Sequence, residues 1–212
     1  MIFKNKKILV TGGTGSLGQR LVERILSNEL GQPKKVIIFS RDESKQHDMR
    51  VKWLNTSKKS DSIIFNNFKR VLEFRIGDIR RYDDILASAK DVDIIVNAAA
   101  LKHVPVCEYF PEQAILTNCI GAINLTKCIS DHNLNVETVV GISTDKASSP
   151  INAMGMTKAI QERIFVASNI FLKKTKILNV RYGNVIASRG SVIPLFVHQI
   201  QNNKDITVTD NK

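Results

Sequence analysis

The chain has 212 residues, of which 43% are hydrophobic and 24% are charged. These ordinary globular values exclude disorder, collagen and a membrane-embedded class, and no stretch approaches the roughly 20 apolar residues of a membrane span. The net charge of +11 favours anionic partners. Because the basic residues are scattered and no aromatic-rich RNA-binding signature is present, we expect no nucleic-acid partner.

Short β-branched runs alternate with longer helical patterns along the chain. Strands separated by helices predict a parallel sheet with helices on both faces, an α/β doubly wound fold of the Rossmann type. A polar segment at 53–70 interrupts the alternation and is predicted to be an insertion or long loop. The predicted strands are 7–11, 35–40, 71–76, 93–98, 136–143 and 175–182, and the predicted helices are 17–28, 83–89, 111–132, 152–172 and a short one that ends at 202.

A glycine-rich segment joins the first predicted strand to the first predicted helix. Its glycines follow the spacing G-x-x-G-x-x-G. Glycine permits a tight turn and lets backbone N–H groups approach a pyrophosphate, and the helix N-terminus adds partial positive charge. In this strand–turn–helix context the motif predicts a dinucleotide site. The residues predicted to bind the cofactor here are Gly12, Thr14, Gly15, Ser16, Leu17 and Gly18.

The end of the second predicted strand indicates which dinucleotide is bound. An acidic residue there would hold the ribose hydroxyls of NAD, but the first polar residues are Ser40 and Arg41, with Lys45 one helical turn beyond. A hydroxyl and a guanidinium suit a ribose 2′-phosphate, so NADP is favoured. Asp42 could still contact a ribose, which leaves NAD open as the alternative.

Two further strand ends are expected to line the cofactor. Asp78 could accept a hydrogen bond from an adenine amino group while Ile79 packs on the ring; alternatively, Asp78 is the N-cap of the following helix. After the fourth strand, the small side chains of Ala98, Ala99 and Ala100 let the backbone pass beside the cofactor.

The segment that closes the fifth strand carries the candidate catalytic residues. Ligands bind at the carboxyl ends of strands in open parallel sheets, and this segment holds Thr144, Asp145 and Lys146. Asp145 and Lys146 are adjacent, so one could act as an acid while the other acts as a base. Lys158 follows on a predicted helix, where it shares a face with Met154 four residues earlier. A surface turn holding an ion pair is the alternative interpretation.

Several segments together resemble the extended short-chain dehydrogenase/reductases: the glycine loop, 40–43, 98–105, 143–147 and 181–185. The run Ser-Arg-Gly-Ser-Val-Ile-Pro-Leu-Phe at 188–196 narrows the resemblance to the inverting UDP-N-acetylglucosamine 4,6-dehydratases of capsule, O-antigen and flagellin-glycan synthesis. The similarity covers nearly the whole chain apart from 53–70. The Ser-Thr-Asp-Lys run is specific to this branch, whereas the glycine loop is not.

The resemblance implies an NADP that is reduced and reoxidised within one turnover on a UDP-linked amino sugar. By similarity, Asp145 is the acid at carbon 6 and Lys146 is the base at carbon 5. Asp145 must then keep its proton, which a buried site favours. Lys158 matches the lysine that holds the nicotinamide ribose, and Thr144 is expected to touch the substrate near carbon 4. The resemblance also places Tyr182 at the cofactor and Lys102, Asn184, Arg189 and Ser191 at the substrate.

Two features depart from the family pattern. The superfamily usually places a tyrosine four residues before the lysine as the base at carbon 4, but Met154 stands there, and a thioether cannot carry the proton. The base is therefore unassigned among Asp145, Lys146 and a water. The relatives also continue into a substrate domain, so we expect an NADP-binding Rossmann domain at 1–185 and, at 186–212, the truncated start of the substrate-binding region. The full-length protein is expected to form homo-oligomers.

Other functions compete with a dehydratase. A UDP-sugar 4-epimerase or 4-keto reductase normally needs the tyrosine, and neither needs an adjacent acid and base. Asp145 and Lys146 together with Met154 therefore favour elimination. A catalytically silent NADP-binding or assembly protein is the alternative from a different class.

The cysteines and the N-terminus favour the cytoplasm. The three cysteines are odd in number and lack a C-x-x-C spacing, so neither a disulfide framework nor a zinc site is expected. The apolar run at 8–10 is far shorter than the core of a signal peptide. The histidines show no metal-ligand spacing with any cysteine, and we expect no metal.

Overall fold

The computed structural model describes residues 1–56, 62–185 and 191–207. The chain divides into two compact units, Met1–Arg181 and Tyr182–Lys212. The first unit holds nearly all of the sheet, and the described residues of the second include the helix Val192–Gln201. The functional boundary that the sequence predicts at 185 stays a prediction.

A six-stranded sheet forms the centre of the fold, with the order β3-β2-β1-β4-β5-β6. The registered pairs β1–β2, β1–β4, β2–β3 and β4–β5 are all parallel. The strand order reverses between β1 and β4, which is where doubly wound sheets bind ligands. The predicted Rossmann-type sheet is thereby confirmed. The strands are β1 Lys7–Thr11, β2 Lys35–Ser40, β3 Leu72–Ile76, β4 Ile94–Asn97, β5 Thr138–Thr144 and β6 Lys176–Tyr182.

Helices cover both faces of the sheet. The predicted helix at 111–132 is three segments: a short α-helix, a π-helical stretch and a longer α-helix. A single 3₁₀ turn, Asp145–Ala147, directly follows β5. The helices are α1 Ser16–Leu26, α2 Glu43–Thr56, α3 Ser62–Val71, α4 Tyr82–Ala89, α5 Val104–Tyr109, α6 Pro111–Ala114, the π segment Ile115–Ile120, α7 Gly121–Asp131, α8 Ala153–Ser168 and α9 Val192–Gln201.

The described part of 53–70 is not the long loop that the sequence predicts, whereas its being an insertion stays a prediction. Its described part is helical, because it contains the end of α2 and most of α3. The rings of Trp53 and Phe68 stack with centroids 6.0 Å apart, and both are buried with Met49 against the sheet. The residues between Trp53 and Phe68 are mostly polar, which is why the sequence pattern predicts a loop there. Residues 57–61 lie outside the described residues.

The core has two layers, one on each face of the sheet. Ile8 and Val10 of β1 pack into one cluster with Trp53, whereas Leu9 packs into the other with Phe165 of α8. Successive side chains of a strand point to opposite faces, so a strand that is apolar throughout fits a sheet buried on both sides. The carboxyl ends of the strands are thus held by packing on two sides.

Candidate active site

The glycine loop forms a narrow cradle between β1 and α1. Gly12 has a φ of +65°, and a Cβ there would lie 2.7 Å from the backbone nitrogen of Ala99. A Cβ on Gly18 would lie 2.6 Å from the Cα of Gly13. Only glycine fits these two positions. Gly15 is the N-cap of α1, whose first turn carries no acidic residue, so its N–H groups and positive dipole end suit a pyrophosphate.

The loop that follows β4 is hydrogen-bonded to Thr11, the last residue of β1 before the glycine loop. The Thr11 hydroxyl donates to Asn97 Oδ1 at 2.7 Å and accepts from the Ala99 amide at 3.2 Å. The Ala98 amide donates to the Thr11 carbonyl at 3.1 Å. Ala98, Ala99 and Ala100 are half-buried, and the backbone of Ala99 approaches Gly12. Their contact with a cofactor stays a prediction.

The polar residues at the end of β2 differ in their burial and in their hydrogen-bond partners. Thr14 Oγ1 donates to Ser40 Oγ at 3.1 Å, and both side chains are buried. Ser40 Oγ also accepts from the Asp42 amide at 3.2 Å, while Lys45 is paired with the Asp42 carboxylate. Arg41 is more exposed, and its guanidinium lies 3.8 Å from a carboxylate oxygen of Asp78.

The carboxylate of Asp78 is hydrogen-bonded to Arg80 and does not cap a helix. Its carboxylate accepts from the Arg80 amide at 3.0 Å and from Arg80 Nε at 2.8 Å. Burial opposes ionisation, but these hydrogen bonds outweigh it and lower the pKa of Asp78. The N-cap of α4 is Arg81, so the alternative interpretation of Asp78 as that cap is wrong.

Ile79, which the sequence analysis expects on the adenine side of the site, is part of the hydrophobic core. Its side chain is 4% exposed and belongs to the core. A Cβ on Gly121 would lie 3.0 Å from it, which shows how closely α7 approaches. The Ile79 side chain therefore packs on α7, and its contact with an adenine ring stays a prediction.

Asp145 and Lys146 form an ion pair at the carboxyl end of β5. Asp145 Oδ1 accepts from Thr144 Oγ1 at 2.8 Å, from the Lys146 amide at 2.9 Å and from Lys146 Nζ at 3.3 Å. The hydrogen bond from Thr144 and then that from Lys146 lower the pKa of Asp145. Its side chain is 55% exposed. The expectation that a buried site keeps Asp145 protonated is therefore not met in this structure, because the carboxyl group faces solvent and a cation.

Lys158 lies inside the fold on α8, whose N-cap Asn152 accepts from the Gly155 amide at 2.8 Å. Lys158 is 6% exposed, and its Nζ donates to the Ile142 carbonyl at 2.5 Å and to Gln161 Oε1 at 2.8 Å. Burial lowers the pKa of Lys158 to about 8. A cation held in this way can still donate hydrogen bonds at neutral pH.

Met154 is buried one helical turn before Lys158. It packs in a small apolar cluster with Cys107 and Ala114, bordered by Leu101 and Val104. The position where the superfamily usually has a tyrosine thus carries neither a hydroxyl nor an exposed polar group. Met154 shapes the wall of the site and has no proton to transfer.

Asn118 is a site residue that the sequence analysis missed. It is fully buried in the π segment. Its side chain accepts from the Leu101 amide at 2.9 Å and donates to the Leu101 carbonyl and to Thr157 Oγ1, each at 3.0 Å. It therefore joins the loop after β4 to the helix that carries Lys158. The available signal was a lone amide in an apolar helical pattern, and π segments are frequent at functional sites.

The remaining predicted site residues are Lys102, Tyr182, Asn184, Arg189 and Ser191. Lys102 is exposed on the loop between β4 and α5. Tyr182, Asn184 and Ser191 belong to the second unit, where Ser191 is the N-cap of α9. Arg189 lies outside the described residues. The roles of these five residues stay predictions.

Within 1–56, 62–185 and 191–207, no group of three or more histidine, cysteine, aspartate or glutamate side chains could hold a metal ion. No helix in the part of the chain that the structure describes has the length and apolar character to cross a membrane.

Comparison with curated proteins identifies relatives of similar sequence. The chain is 46% identical over 213 residues to the UDP-glucose 4-epimerase of Rickettsia bellii (strain OSU 85-389). It is 45% identical over 212 residues to the UDP-glucose 4-epimerase of Rickettsia prowazekii (strain Madrid E). Each match covers 99% of this chain and 58% of the relative, so the chain spans little more than half the length of these proteins.

Two solved structures have a fold similar to that of this chain. Pen from Bacillus thuringiensis is 37% identical with a TM-score of 0.86, and the match covers 99% of this chain and 60% of Pen. A dTDP-glucose 4,6-dehydratase from Streptomyces venezuelae, solved with NAD bound, is 22% identical with a TM-score of 0.71, covering 93% of this chain and 62% of that one. At that identity the second match supports the fold alone.

A family model described as polysaccharide biosynthesis protein matches residues 8–212. This range includes the glycine loop, the Asp145–Lys146 pair and Lys158. Because the match extends over almost the whole chain, the protein belongs to the polysaccharide biosynthesis protein family within the extended short-chain dehydrogenase/reductases.

Proposed function

We propose that the protein is an NADP-dependent, inverting UDP-N-acetylglucosamine 4,6-dehydratase. The observation that carries this proposal is the adjacent Asp145–Lys146 pair at the end of β5, combined with a buried Met154 where a tyrosine would stand. An elimination needs an acid and a base beside the same sugar ring. A simple oxidation and reduction at carbon 4 does not need that pair.

The residues present fit a dinucleotide. Gly12 and Gly18 leave room that a Cβ would fill, and the first turn of α1 offers N–H groups without a competing acid. The choice of NADP rests on Arg41, whose guanidinium is exposed beside the end of β2. Ser40 is engaged with Thr14, so Arg41 carries most of the expected preference for a 2′-phosphate. When bound, NADP takes a hydride from carbon 4 of the sugar and returns it to carbon 6.

Lys146 and Asp145 divide the elimination between them. Oxidation at carbon 4 acidifies the proton on carbon 5, and Lys146 removes that proton. Asp145 donates a proton to the hydroxyl on carbon 6, which leaves as water. A proton returned to the opposite face of carbon 5 inverts that centre.

Asp145 must take up a proton before it can act as the acid. In this structure Lys146 and Thr144 favour the carboxylate. A sugar that covers the pair removes water from Asp145 and separates it from Lys146 Nζ, and both changes raise the pKa of a carboxyl group. Substrate binding thus moves Asp145 towards the protonation state that the elimination needs.

Further roles belong to this proposal. Lys158 donates to the nicotinamide ribose, and Thr144 contacts the substrate near carbon 4. Asn184, Arg189 and Ser191 receive the UDP part. Lys102 meets a phosphate or the sugar. We also propose that the complete gene product acts in the cytoplasm as a homo-oligomer.

A UDP-sugar 4-epimerase is the second candidate. The curated relatives from Rickettsia carry that name at 45–46% identity, which is the observation in its favour. The exposed ion pair would then be a surface feature without a catalytic role. The buried Met154 argues against it, because an epimerase of this superfamily normally uses a tyrosine to move the carbon 4 proton.

Mass spectrometry distinguishes the two candidates. The complete gene product is incubated with NADP and either UDP-N-acetylglucosamine or UDP-glucose. A dehydratase gives a product that is lighter by one water molecule from the amino sugar. An epimerase leaves the mass unchanged and gives a new sugar that is resolved by NMR. Asp145→Asn should suppress the loss of water, whereas the matched change Asp91→Asn, on the exposed turn that precedes β4, should not.

A further inference from the structure

Glu162 is a buried carboxylate on α8 that the catalytic scheme above does not use. It is 9% exposed and accepts hydrogen bonds from neighbouring strands on one side of the helix. Ser143 Oγ of β5 donates to it at 2.5 Å. Arg181 of β6 donates through Nε at 2.8 Å and through Nη2 at 2.6 Å. One carboxylate thus joins α8 to both β5 and β6.

The contacts of Glu162 reach both parts of the candidate site. Ser143 immediately precedes Thr144, so the hydrogen bond holds the strand end that carries the acid–base pair. Lys158 lies four residues before Glu162, one helical turn away on the same face. The carboxylate is therefore close to a buried ammonium group that has polar partners but no ion-pair partner within salt-bridge distance among the described residues.

Few charged or titratable groups face Lys158. Its own helix contributes Glu162, the π segment contributes the Cys119 thiol, and β5 contributes the uncharged Ile142 carbonyl. Arg181 from β6 is bound to Glu162. The Arg181 hydrogen bonds lower the pKa of Glu162, so the carboxylate is ionised throughout the neutral range. Its negative charge opposes the effect of burial on Lys158.

We propose that Glu162 is a positioning residue that holds the end of β5 against α8 and supplies the negative charge facing the Lys158 ammonium. This inference rests on the proposed role of Lys158 at the nicotinamide ribose. It does not depend on whether the protein is a dehydratase or an epimerase. The competing explanation is structural: the Glu162–Arg181 ion pair merely fastens β6 to α8.

Two variants separate these explanations. Glu162→Gln keeps the shape and the hydrogen bond from Ser143 but removes the charge. Arg181→Gln breaks the same ion pair but leaves the carboxylate beside Lys158. A structural role predicts the same effect on Lys158 for Glu162→Gln and Arg181→Gln. The positioning role predicts that only Glu162→Gln changes the titration of Lys158.

The measurement is a pH titration of the lysine Cε signals by ¹³C NMR in the protein without ligand, with Lys158 assigned from its loss in Lys158→Met. Glu162→Gln should lower the titration midpoint of Lys158 by about one pH unit. Arg181→Gln should not lower the Lys158 midpoint, and Glu162→Asp should give a midpoint close to that of the unmodified protein. If Glu162→Gln does not fold, the double variant Glu162→Gln, Arg181→Met removes both charges together and should give the same lowered midpoint. An unchanged midpoint in the folded Glu162→Gln or double variant overturns the inference.

NADP titration of the same variants then tests the role on which the inference rests. Near pH 8, Glu162→Gln should bind NADP several-fold more weakly than the unmodified protein, and at pH 6 the two should bind alike. If the Lys158 midpoint falls but NADP affinity does not follow it, the placement of Lys158 at the ribose is wrong, while the effect of Glu162 on Lys158 stands.

Discussion

Replacing Lys158 with methionine should change how the stability of the fold depends on pH. The buried ammonium has a pKa of about 8 against an ordinary 10.5, and each unit corresponds to about 1.36 kcal/mol. The side chain is only 6% exposed. Keeping Lys158 charged inside the fold therefore costs about 3 kcal/mol at neutral pH. Methionine has a similar length and removes that cost.

The sign follows from proton linkage. Between pH 8 and 10.5 the unfolded chain holds a proton on Lys158 that the folded chain has released. Stability contributed by this group therefore rises with pH across that window. Between pH 7 and pH 10 the gain is about 2.5 kcal/mol for the unmodified protein, and Lys158→Met lacks it. The advantage of Lys158→Met over the unmodified protein should shrink by that amount.

Urea unfolding followed by circular dichroism at a series of pH values measures this difference. Subtracting the two proteins removes the contribution of other titrating groups, such as Cys128, whose pKa burial raises to about 11. Lys173→Met, at an exposed lysine, is the matched control and should give a difference that does not vary with pH. A pH-independent difference for Lys158→Met would refute the reasoning.

The other predictions concern the cofactor and the apolar wall of the site. Arg41→Ala should reduce the preference for NADP over NAD roughly tenfold to a hundredfold in calorimetric titrations, because a charge-assisted contact contributes about 1.5–3 kcal/mol. Equal affinities of the unmodified protein for NADP and NAD would contradict the choice of NADP as the cofactor. Gly12→Ala should abolish dinucleotide binding and lower the free energy of unfolding by at least about 1–2 kcal/mol. Gly15→Ala should destabilise the protein far less, because the Cβ would lie 3.2 Å from its nearest neighbour. Similar losses of stability for the two variants in thermal unfolding would contradict this prediction. Met154→Leu should keep most of the activity of the complete gene product, and a rate loss of roughly 10²–10⁴-fold, as expected for a catalytic acid, would show a role that the packing does not explain.

Local sequence features were sufficient to predict the sheet and the tight glycine turn after β1. The apolar run at 8–10 fills both core layers because alternate side chains face opposite sides. The spacing of Gly12, Gly15 and Gly18 specifies the turn because backbone conformation and close approach act within a few residues. Such features do not depend on contacts between distant parts of the chain.

Other features depend on contacts that the sequence does not display. Trp53 and Phe68 stack across two helices, so their segment looks polar when it is considered alone. The ionisation of Asp145 depends on its exposure and on the orientation of Lys146. Asn118 becomes a site residue only because the π segment brings it to Leu101 and Thr157.

The most direct test of the central claim is the mass of the product formed in heavy water. UDP-N-acetylglucosamine is incubated with NADP and the complete gene product, and the sugar is analysed by mass spectrometry and NMR. The Asp145–Lys146 account predicts loss of one water molecule and one deuterium at an inverted carbon 5. Lys146→Ala should abolish the deuterium incorporation. An unchanged mass with inversion at carbon 4 alone, or full deuterium incorporation without Lys146, would contradict the account.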